Sequence, residues 1–387
     1  MDRNHWLSLL SRWADVLRNA PDRSDIVRMA GDRNPWFGPA QVEEALTGIT
    51  EGLLEPVGLQ SWLAAYPSLD LTMDQPIDQP IDQPIDQPID QQIDQPIDQQ
   101  MDQPIDQPID QQMDQPIPLP LHQPFAPKTI GLVLAGNLPL VGFHDALCVL
   151  VAGHHAQIKV SAKDPVLLPW ALDLLLNLEP ALAGHWKFVE RLQHYHAVIA
   201  TGSDNSNRYF LHYFKHVPHL LRGNRSSAAI LRGDESTDEL QALGRDIFQY
   251  FGLGCRSVSH LFVSPKVELT VLLDALEPFA PLLEHSRYRH NFDYQRTLLL
   301  LNRTPHLGSD FLSLVENSSL VSPISVLHYT RFQTQGELDA LMERHRDGLQ
   351  VLVGRGKGLV PFGRAQQPGP ADYADQKDTL AFLANCF

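Results

Sequence analysis

Cys255 stands in Gly252-Leu-Gly-Cys255, after a helical stretch and just ahead of the apolar run Leu261-Phe-Val263. Glycines let a backbone approach a substrate closely, and a cysteine at a turn or helix N-terminus can have its pKa lowered and its thiolate exposed. The chemistry on offer is nucleophilic attack on a carbonyl. In isolation a buried, inert cysteine reads the same way. Cys148, inside the apolar run Ala146-Leu-Cys-Val-Leu-Val151, takes that role, and Cys386 is read as incidental. Asn137-Leu-Pro139-Leu140 places a carboxamide immediately after a strand, where its N–H₂ could face a developing oxyanion; a turn-forming asparagine fits equally well. Thr201-Gly202-Ser203 follows a strand and opens a helix, where backbone N–H groups and the helix dipole favour a phosphate. Any tight α/β turn has this form, and the strict GxGxxG fingerprint is absent. Lys159-Val-Ser161, at a strand end, could hydrogen-bond a ribose or its phosphate, or simply be solvated. His144 and His260 lie near these motifs and could relay protons, but each sits among apolar neighbours, as packed core histidines do.

Positioning these residues requires a framework of alternating strands and helices. Residues 129–135, 157–160 and 197–200 read as buried strands, and 165–178 and 204–214 as helices, which is βαβ order and hence a parallel α/β sheet. Ser236-Thr-Asp-Glu239 is a capping box that opens a helix to about residue 251, with Leu240, Leu243 and Ile247 on one face. From His260 to about Asp274 the pattern is strand then helix, and residues 323–329 and 349–353 are further strand candidates, so a second α/β lobe is expected. Ahead of these, Val42, Leu46, Ile49 and Leu53 recur at helical spacing over residues 39–54, an amphipathic helix with a structural role.

The chain has 387 residues, 43% of them hydrophobic, which is enough for two or three packed domains. A net charge of −16 with no dense basic tract argues against a nucleic acid or an anionic membrane as the main partner. Three scattered cysteines without a CxxC give neither a disulfide framework nor a thiolate metal cage, so a reducing, cytoplasmic setting is expected. No signal-peptide pattern or membrane-spanning apolar run is present. Much of the acidity comes from residues 74–117, where Asp-Gln-Pro/Gln-Ile/Met recurs eleven times. Removing those eleven aspartates takes the net charge from −16 to −5. Eight of the eleven units carry proline, which bars a continuous helix or central strand, so the repeat reads as an extended, disordered linker; a spaced recognition ligand or a stiff repeat rod is the rival reading.

Taken together and in order, these motifs are more specific than any one of them. Asn-x-Pro-Leu after a strand, Lys-x-Ser at a strand end, Thr-Gly-Ser before a helix, Gly-x-x-Cys and Pro361-Phe-Gly363 resemble the aldehyde dehydrogenase superfamily in its chain order. More closely, Leu134-Ala-Gly-Asn-Leu-Pro-Leu-Val-Gly-Phe-His-Asp145, Ala200-Thr-Gly-Ser203, Phe251-Gly-Leu-Gly-Cys-Arg256 and Pro361-Phe-Gly-Arg-Ala-Gln-Gln-Pro368 resemble the acyl-CoA reductase family, which includes the fatty acid reductase component of bacterial luminescence. The likeness runs from about Thr129 onward and does not include the repeat. It implies an α/β fold of the aldehyde dehydrogenase kind. An N-terminal helical region (1–72) and the repeat linker (73–124) would precede a Rossmann-like cofactor lobe (125–231) and a catalytic lobe (232–387) whose C-terminal segment returns to the core. It also implies roles: Cys255 as nucleophile, Asn137 as oxyanion-hole amide, Lys159 and Ser161 at the adenosine ribose, and Thr201, Gly202 and Ser203 at the cofactor phosphates.

Two departures from the family pattern carry information. Hydrolytic aldehyde dehydrogenases place a water-activating glutamate upstream of the cysteine, and here that stretch reads His219-Leu-Leu-Arg-Gly-Asn-Arg225, with no carboxylate. An enzyme that must hold an acyl thioester long enough to reduce it gains from lacking that base, so acyl reduction is favoured over aldehyde oxidation. The glutamate that grips the nicotinamide ribose is also missing, with Ser319 to Pro323 in its neighbourhood. Lys159 and Lys163 supply cations and no carboxylate near the expected adenosine ribose, which points to NADPH, with NADH as the alternative. The expected activity is NAD(P)H-dependent reduction of a long-chain acyl-CoA or acyl-protein thioester to the aldehyde, with self-association and an acyl-donor partner protein expected only by analogy. A cysteine thioesterase and a non-catalytic scaffold of the same fold stand as alternatives. Deleting residues 74–117 is expected to leave the circular dichroism spectrum and thermal midpoint unchanged, and loss of folded protein would contradict the linker reading.

Overall fold

The computed structural model describes residues 1–67 and 126–386, so the repeat and the linker assigned to it lie outside the described residues. Five parallel strands form a first sheet: β1 (Thr129–Val133), β2 (His155–Lys159), β3 (Trp186–Phe188), β4 (Ala197–Thr201) and β5 (His219–Arg222), in the order β3-β2-β1-β4-β5. Six more form a second: β6 (Ser226–Leu231), β7 (Val258–Val263), β8 (His306–Gly308), β9 (Ser313–Glu316), β10 (Val326–Arg331) and β11 (Leu349–Val353), in the order β11-β6-β7-β10-β9-β8. Only the edge strand β8 runs antiparallel to its neighbour. The inner strands are near-continuous apolar runs because helices cover both faces: β6 is buried at all six positions, and Leu132 of β1 stands between Ile158 of β2 and Ile199 of β4.

Helix Arg3–Asn19 buries Trp6, Leu9, Leu10, Trp13, Ala14 and Leu17, a stripe at helical spacing. The Trp13 indole stacks on Phe143 at 4.8 Å, and its N–H donates to the Ala171 carbonyl at 2.9 Å, which seats the N-terminal helices on the helical layer of the first sheet. Leu380 and Leu383 of the last helix, Thr379–Asn385, join the same core. The helix Thr237–Phe248 opens on the capping box Ser236–Glu239 and packs on the second sheet.

Three boundaries differ from the sequence reading for local reasons. The capped helix stops at Phe248 and not near residue 251, because Tyr250, Phe251 and Gly252 adopt left-handed φ values of 54°, 58° and 76°. The strand expected at 323–329 is shifted to Val326–Arg331 by a turn at Ser325 with φ 66°. The helix expected over 39–54 runs as an α-helix from Pro39 to Gly48 and then as a π turn from Ile49 to Leu53. The reading also leaves Ser226–Leu231 in the cofactor lobe, whereas β6 pairs with β7 and β11 in the second sheet, so the chain crosses between sheets at residues 223–225.

The C-terminal stretch is tied down by a buried carboxylate. Asp246, 1% exposed, accepts the Gly363 N–H at 2.6 Å and the Ala365 N–H at 2.9 Å, fixing the Pro361-Phe-Gly363 turn against the helix Thr237–Phe248. Burial pushes its pKa up to about 6, against the pull of the two N–H donors. A carboxyl group whose folded pKa lies above its unfolded value binds more protons when folded, so its contribution to stability is present below the unfolded value near 4 and lost as pH rises to about 6. Relative to Asp246→Asn, the wild-type unfolding free energy is therefore expected to fall by on the order of 2 kcal/mol between pH 4 and 6. Parallel pH profiles of the two proteins in urea melts would contradict this.

Candidate active site

β1 runs out at Val133 into Leu134-Ala-Gly-Asn137, and the Asn137 carboxamide donates to the Leu253 carbonyl at 3.2 Å, two residues ahead of Cys255. Residues 116 apart in sequence are thereby joined across the two sheets. A carboxamide has two N–H donors, so one remains to face a substrate oxygen. Gly136 is required by close approach: a Cβ there would lie 2.5 Å from the Ser161 Oγ. Ser161 in turn accepts the Lys163 N–H at 3.2 Å, so the loop after β2 presses on the loop that carries Asn137. The left-handed Leu140 (φ 58°) that follows is held by its N–H to Asp164 Oδ2 at 2.9 Å.

Cys255 precedes β7 and follows the left-handed run Tyr250–Gly252, where only Gly252 takes its φ without strain. Two non-glycine residues in that region cost on the order of 1–3 kcal/mol each and persist only where the surroundings dictate them. The Cys255 carbonyl accepts from the Ser227 hydroxyl at 2.9 Å, and Gly254 N–H is held by Ser257 Oγ at 3.3 Å. Gln366 of the C-terminal segment also bonds Ser257 at 3.1 Å. The thiol itself departs from the sequence expectation. Cys255 sits at no helix N-terminus, and burial raises its pKa, opposed by the neighbouring Arg256 guanidinium. Arg256 is anchored to the Ala365 and Asp372 carbonyls at 3.2 and 3.1 Å.

Lys159 and Thr201-Gly-Ser203 stand at the carboxyl ends of β2 and β4, on either side of β1. The strand order reverses between β1 and β4, and a ligand crevice forms at such a switch point. Ser203 caps the helix Asp204–Phe214 by accepting the Ser206 N–H at 3.3 Å. The Lys159 ammonium donates to the Glu190 carbonyl at 2.8 Å, which uses one of its three donors. Cation, hydroxyls and helix N-terminus on one sheet edge fit the adenosine end of a dinucleotide. The structure thus brings Asn137 to the Cys255 loop and Ser161 to Gly136. No hydrogen bond joins Lys159 or residues 201–203 to the Cys255 loop among the described residues.

The histidines are packed and neutral. His144 lies between Tyr373 and Trp62, at ring separations of 5.3 and 5.9 Å, and burial lowers its pKa to about 4. His260, on β7, is fully buried, donates through Nδ1 to the Ser319 carbonyl at 3.0 Å, and is likewise lowered to about 4 by burial. Cys148 is fully buried with its pKa raised by that burial. Among the described residues no group of three or more His, Cys, Asp or Glu could hold a metal, and no helix is long and apolar enough to cross a membrane.

Sequence reasoning missed a buried ion pair. Arg222 ends β5 at 2% exposure, bonds Asp145 through Nη2 at 2.6 Å and Nε at 3.1 Å, and reaches Thr379 Oγ1 at 2.7 Å and the Ala374 carbonyl. Burial would lower the Arg222 pKa, and the Asp145 carboxylate outweighs it, so the guanidinium is held above its ordinary value. A signal was present: one arginine in His219-Leu-Leu-Arg222 and one aspartate in the apolar run Phe143–Val151 each need a partner if buried.

This architecture is the aldehyde dehydrogenase fold. The chain superposes on aldehyde dehydrogenase 21 from Physcomitrella patens with a TM-score of 0.59, at 10% identity, over 100% of this chain and 84% of that one. An NADP-dependent enzyme of E. coli gives 0.57 at 12% identity, over 95% and 77%. An alignment to a Mycobacterium tuberculosis aldehyde dehydrogenase complexed with NAD+ spans only 55% of this chain and 54% of that one, at a TM-score of 0.44 and 14% identity. No protein-family model matches the sequence, and no curated protein matches it.

With its pKa raised by burial, the Cys255 thiol is expected to alkylate slowly with iodoacetamide at neutral pH, its rate still climbing above pH 9, followed by mass spectrometry of the modified peptide. A rate that reaches its plateau near pH 7 would show an activated thiolate instead.

Proposed function

We propose that the chain is a nicotinamide-dependent oxidoreductase that reduces a long-chain acyl thioester to the aldehyde through an acyl-cysteine on Cys255. The observation that carries this reading is the Asn137–Leu253 hydrogen bond, which puts a carboxamide donor beside the loop of Cys255, a partly accessible cysteine that follows the left-handed run Tyr250–Gly252. The fold supports it, since the same fold serves NAD(P)-dependent chemistry in structures such as the E. coli enzyme. In this proposal the first sheet forms the cofactor lobe, and the second, with the C-terminal segment, the catalytic lobe.

Cys255 Sγ, once deprotonated, attacks the thioester carbonyl carbon. The resulting tetrahedral oxyanion is met by the free Asn137 N–H and the Cys255 backbone N–H, donors aimed in advance at the developing charge. Expulsion of the donor thiolate leaves the acyl group on Cys255, and the thiolate takes up a proton. Lys159, Ser161 and the turn Thr201-Gly-Ser203 would hold the adenosine and phosphate end of the nicotinamide cofactor, with Lys163 adding positive charge suited to the 2′-phosphate of NADPH. Bound, that cofactor would supply the hydride that takes the acyl carbon to the aldehyde level; the carbon–sulfur bond to Cys255 then breaks, the aldehyde leaves and the Cys255 thiolate is restored. Retention of the acyl group follows from the environment. The stretch 219–225 has no carboxylate, and its Arg222 is committed to Asp145, so no base there activates water. A histidine-activated hydrolase is disfavoured because His144 and His260 are buried, neutral and not bonded to Cys255 among the described residues.

Purified protein given NADPH and a long-chain acyl-CoA is expected to oxidise the nicotinamide and form aldehyde, detected by mass spectrometry. Cys255→Ala should abolish both, and Asn137→Ala should retain substrate binding while turnover falls by about 100-fold or more. Full activity in the cysteine variant would end this mechanism, and thiol release without nicotinamide oxidation would transfer the assignment to a thioesterase.

A further inference from the structure

We propose that the N-terminal turn at residues 34–37, which carries no chemistry of its own, positions both halves of the site, with Asn34 and Trp36 as positioning residues. The inference rests on the reading that Cys255 and Asn137 perform acyl transfer.

Asn34 is 4% exposed and spends neither end of its carboxamide on its own helix. Its Nδ2 donates to the Gly136 carbonyl at 3.0 Å, and its Oδ1 accepts the Trp36 N–H at 3.1 Å. The Gly136 carbonyl belongs to the peptide that links Gly136 to Asn137, so this bond sets the plane from which the Asn137 side chain projects. Ser161, packed so close that a Cβ on Gly136 would lie 2.5 Å from its Oγ, leaves that peptide little room to rotate. On the other half, the Trp36 ring lies 5.2 Å from Phe251 and stacks on His285 at 5.1 Å, and Phe251 and His285 are 4.4 Å apart. His285 Nε2 donates back to the Pro35 carbonyl at 2.9 Å, which closes the cluster. Phe251 is one of the two non-glycine residues held in the left-handed region just before Cys255, and these rings are what keep it there. Three consecutive residues, Asn34 to Trp36, therefore fix the two loops that the Asn137–Leu253 bond joins. A donor displaced by a fraction of an ångström from a developing oxyanion loses much of its effect, so the consequence of loosening the turn falls on turnover more than on substrate affinity.

The test uses the full chain with Asn34→Ala, Trp36→Ala and Trp36→Phe. Thiol release from a long-chain acyl-CoA in a single burst without nicotinamide counts competent sites, and steady-state turnover with NADPH is divided by that count. Asn34→Ala and Trp36→Ala are expected to lose about tenfold or more in turnover per competent site with KM within about twofold, and Trp36→Phe is expected to recover most of it. Iodoacetamide alkylation of Cys255, which needs no turnover, is expected to change its pH profile in Trp36→Ala and not in Trp36→Phe. A smaller burst with unchanged turnover per site and an unchanged alkylation profile would reduce the turn to a structural role and overturn the inference. A wild-type protein with neither burst nor turnover would sink the functional reading instead, and the alkylation profile would then decide the inference alone.

Discussion

The buried ion pair between Arg222 and Asp145 is the constraint on which the site depends. Charges taken out of water are tolerated only when paired and fully hydrogen-bonded, and removing one partner of such a pair typically costs about 3–5 kcal/mol. Here the requirement is met from three parts of the chain at once. Arg222 closes β5, Asp145 lies in the helix that follows the Asn137 loop, and Thr379 and Ala374 belong to the C-terminal segment. The adjacent Gly223 N–H is taken by Asp375 Oδ2 at 2.7 Å, just where the chain passes from the first sheet to the second. Fixing that crossing fixes the distance between the sheets, and with it the reach of Asn137 to the Cys255 loop.

The C-terminal segment does similar work on the other side. Asp246 grips its turn through two backbone N–H groups, Arg256 binds two of its carbonyls, and Gln366 reaches Ser257. Farther on, Tyr373 accepts the Trp62 indole N–H at 2.7 Å and meets Tyr66 at 2.9 Å, so the same segment binds the N-terminal helices. The residues flanking Cys255 are thus held by polar contacts of long sequence separation, while the thiol itself is desolvated. Desolvation favours the protonated thiol over the thiolate, and in the proposed reaction the same exclusion of water would shield an acyl group on Cys255.

The parallel sheets supply what these contacts organise. Strands that run the same way deliver the loops after β1, β2 and β4 to one edge, and the reversal of strand order beside β1 marks the kind of edge where ligands bind in open α/β sheets. Strain at Tyr250 and Phe251 is the counterpart on the second sheet, paid for by aromatic packing that involves a turn more than 200 residues away in sequence.

Much of the framework was legible because it rests on local rules. Hydrophobic runs gave β1, β2, β4 and β11, the Ser236–Glu239 box marked a helix start, and glycine beside cysteine drew attention to residue 255. Strands such as β5 and β6 escaped because His219-Leu-Leu-Arg222 is short and Ser226-Ser-Ala-Ala-Ile-Leu231 is built of small residues with little strand signal. The sequence by itself determined the α/β class and the residue types able to do chemistry, since periodicity, capping and turn preference act between neighbours. Only the tertiary structure decided that Arg222 pairs with Asp145, that Asn34 reaches Gly136, and that Cys255 is raised and not lowered in pKa. Those outcomes turn on burial and on partners far apart along the chain, and desolvation is a property of a position in space that no local pattern encodes.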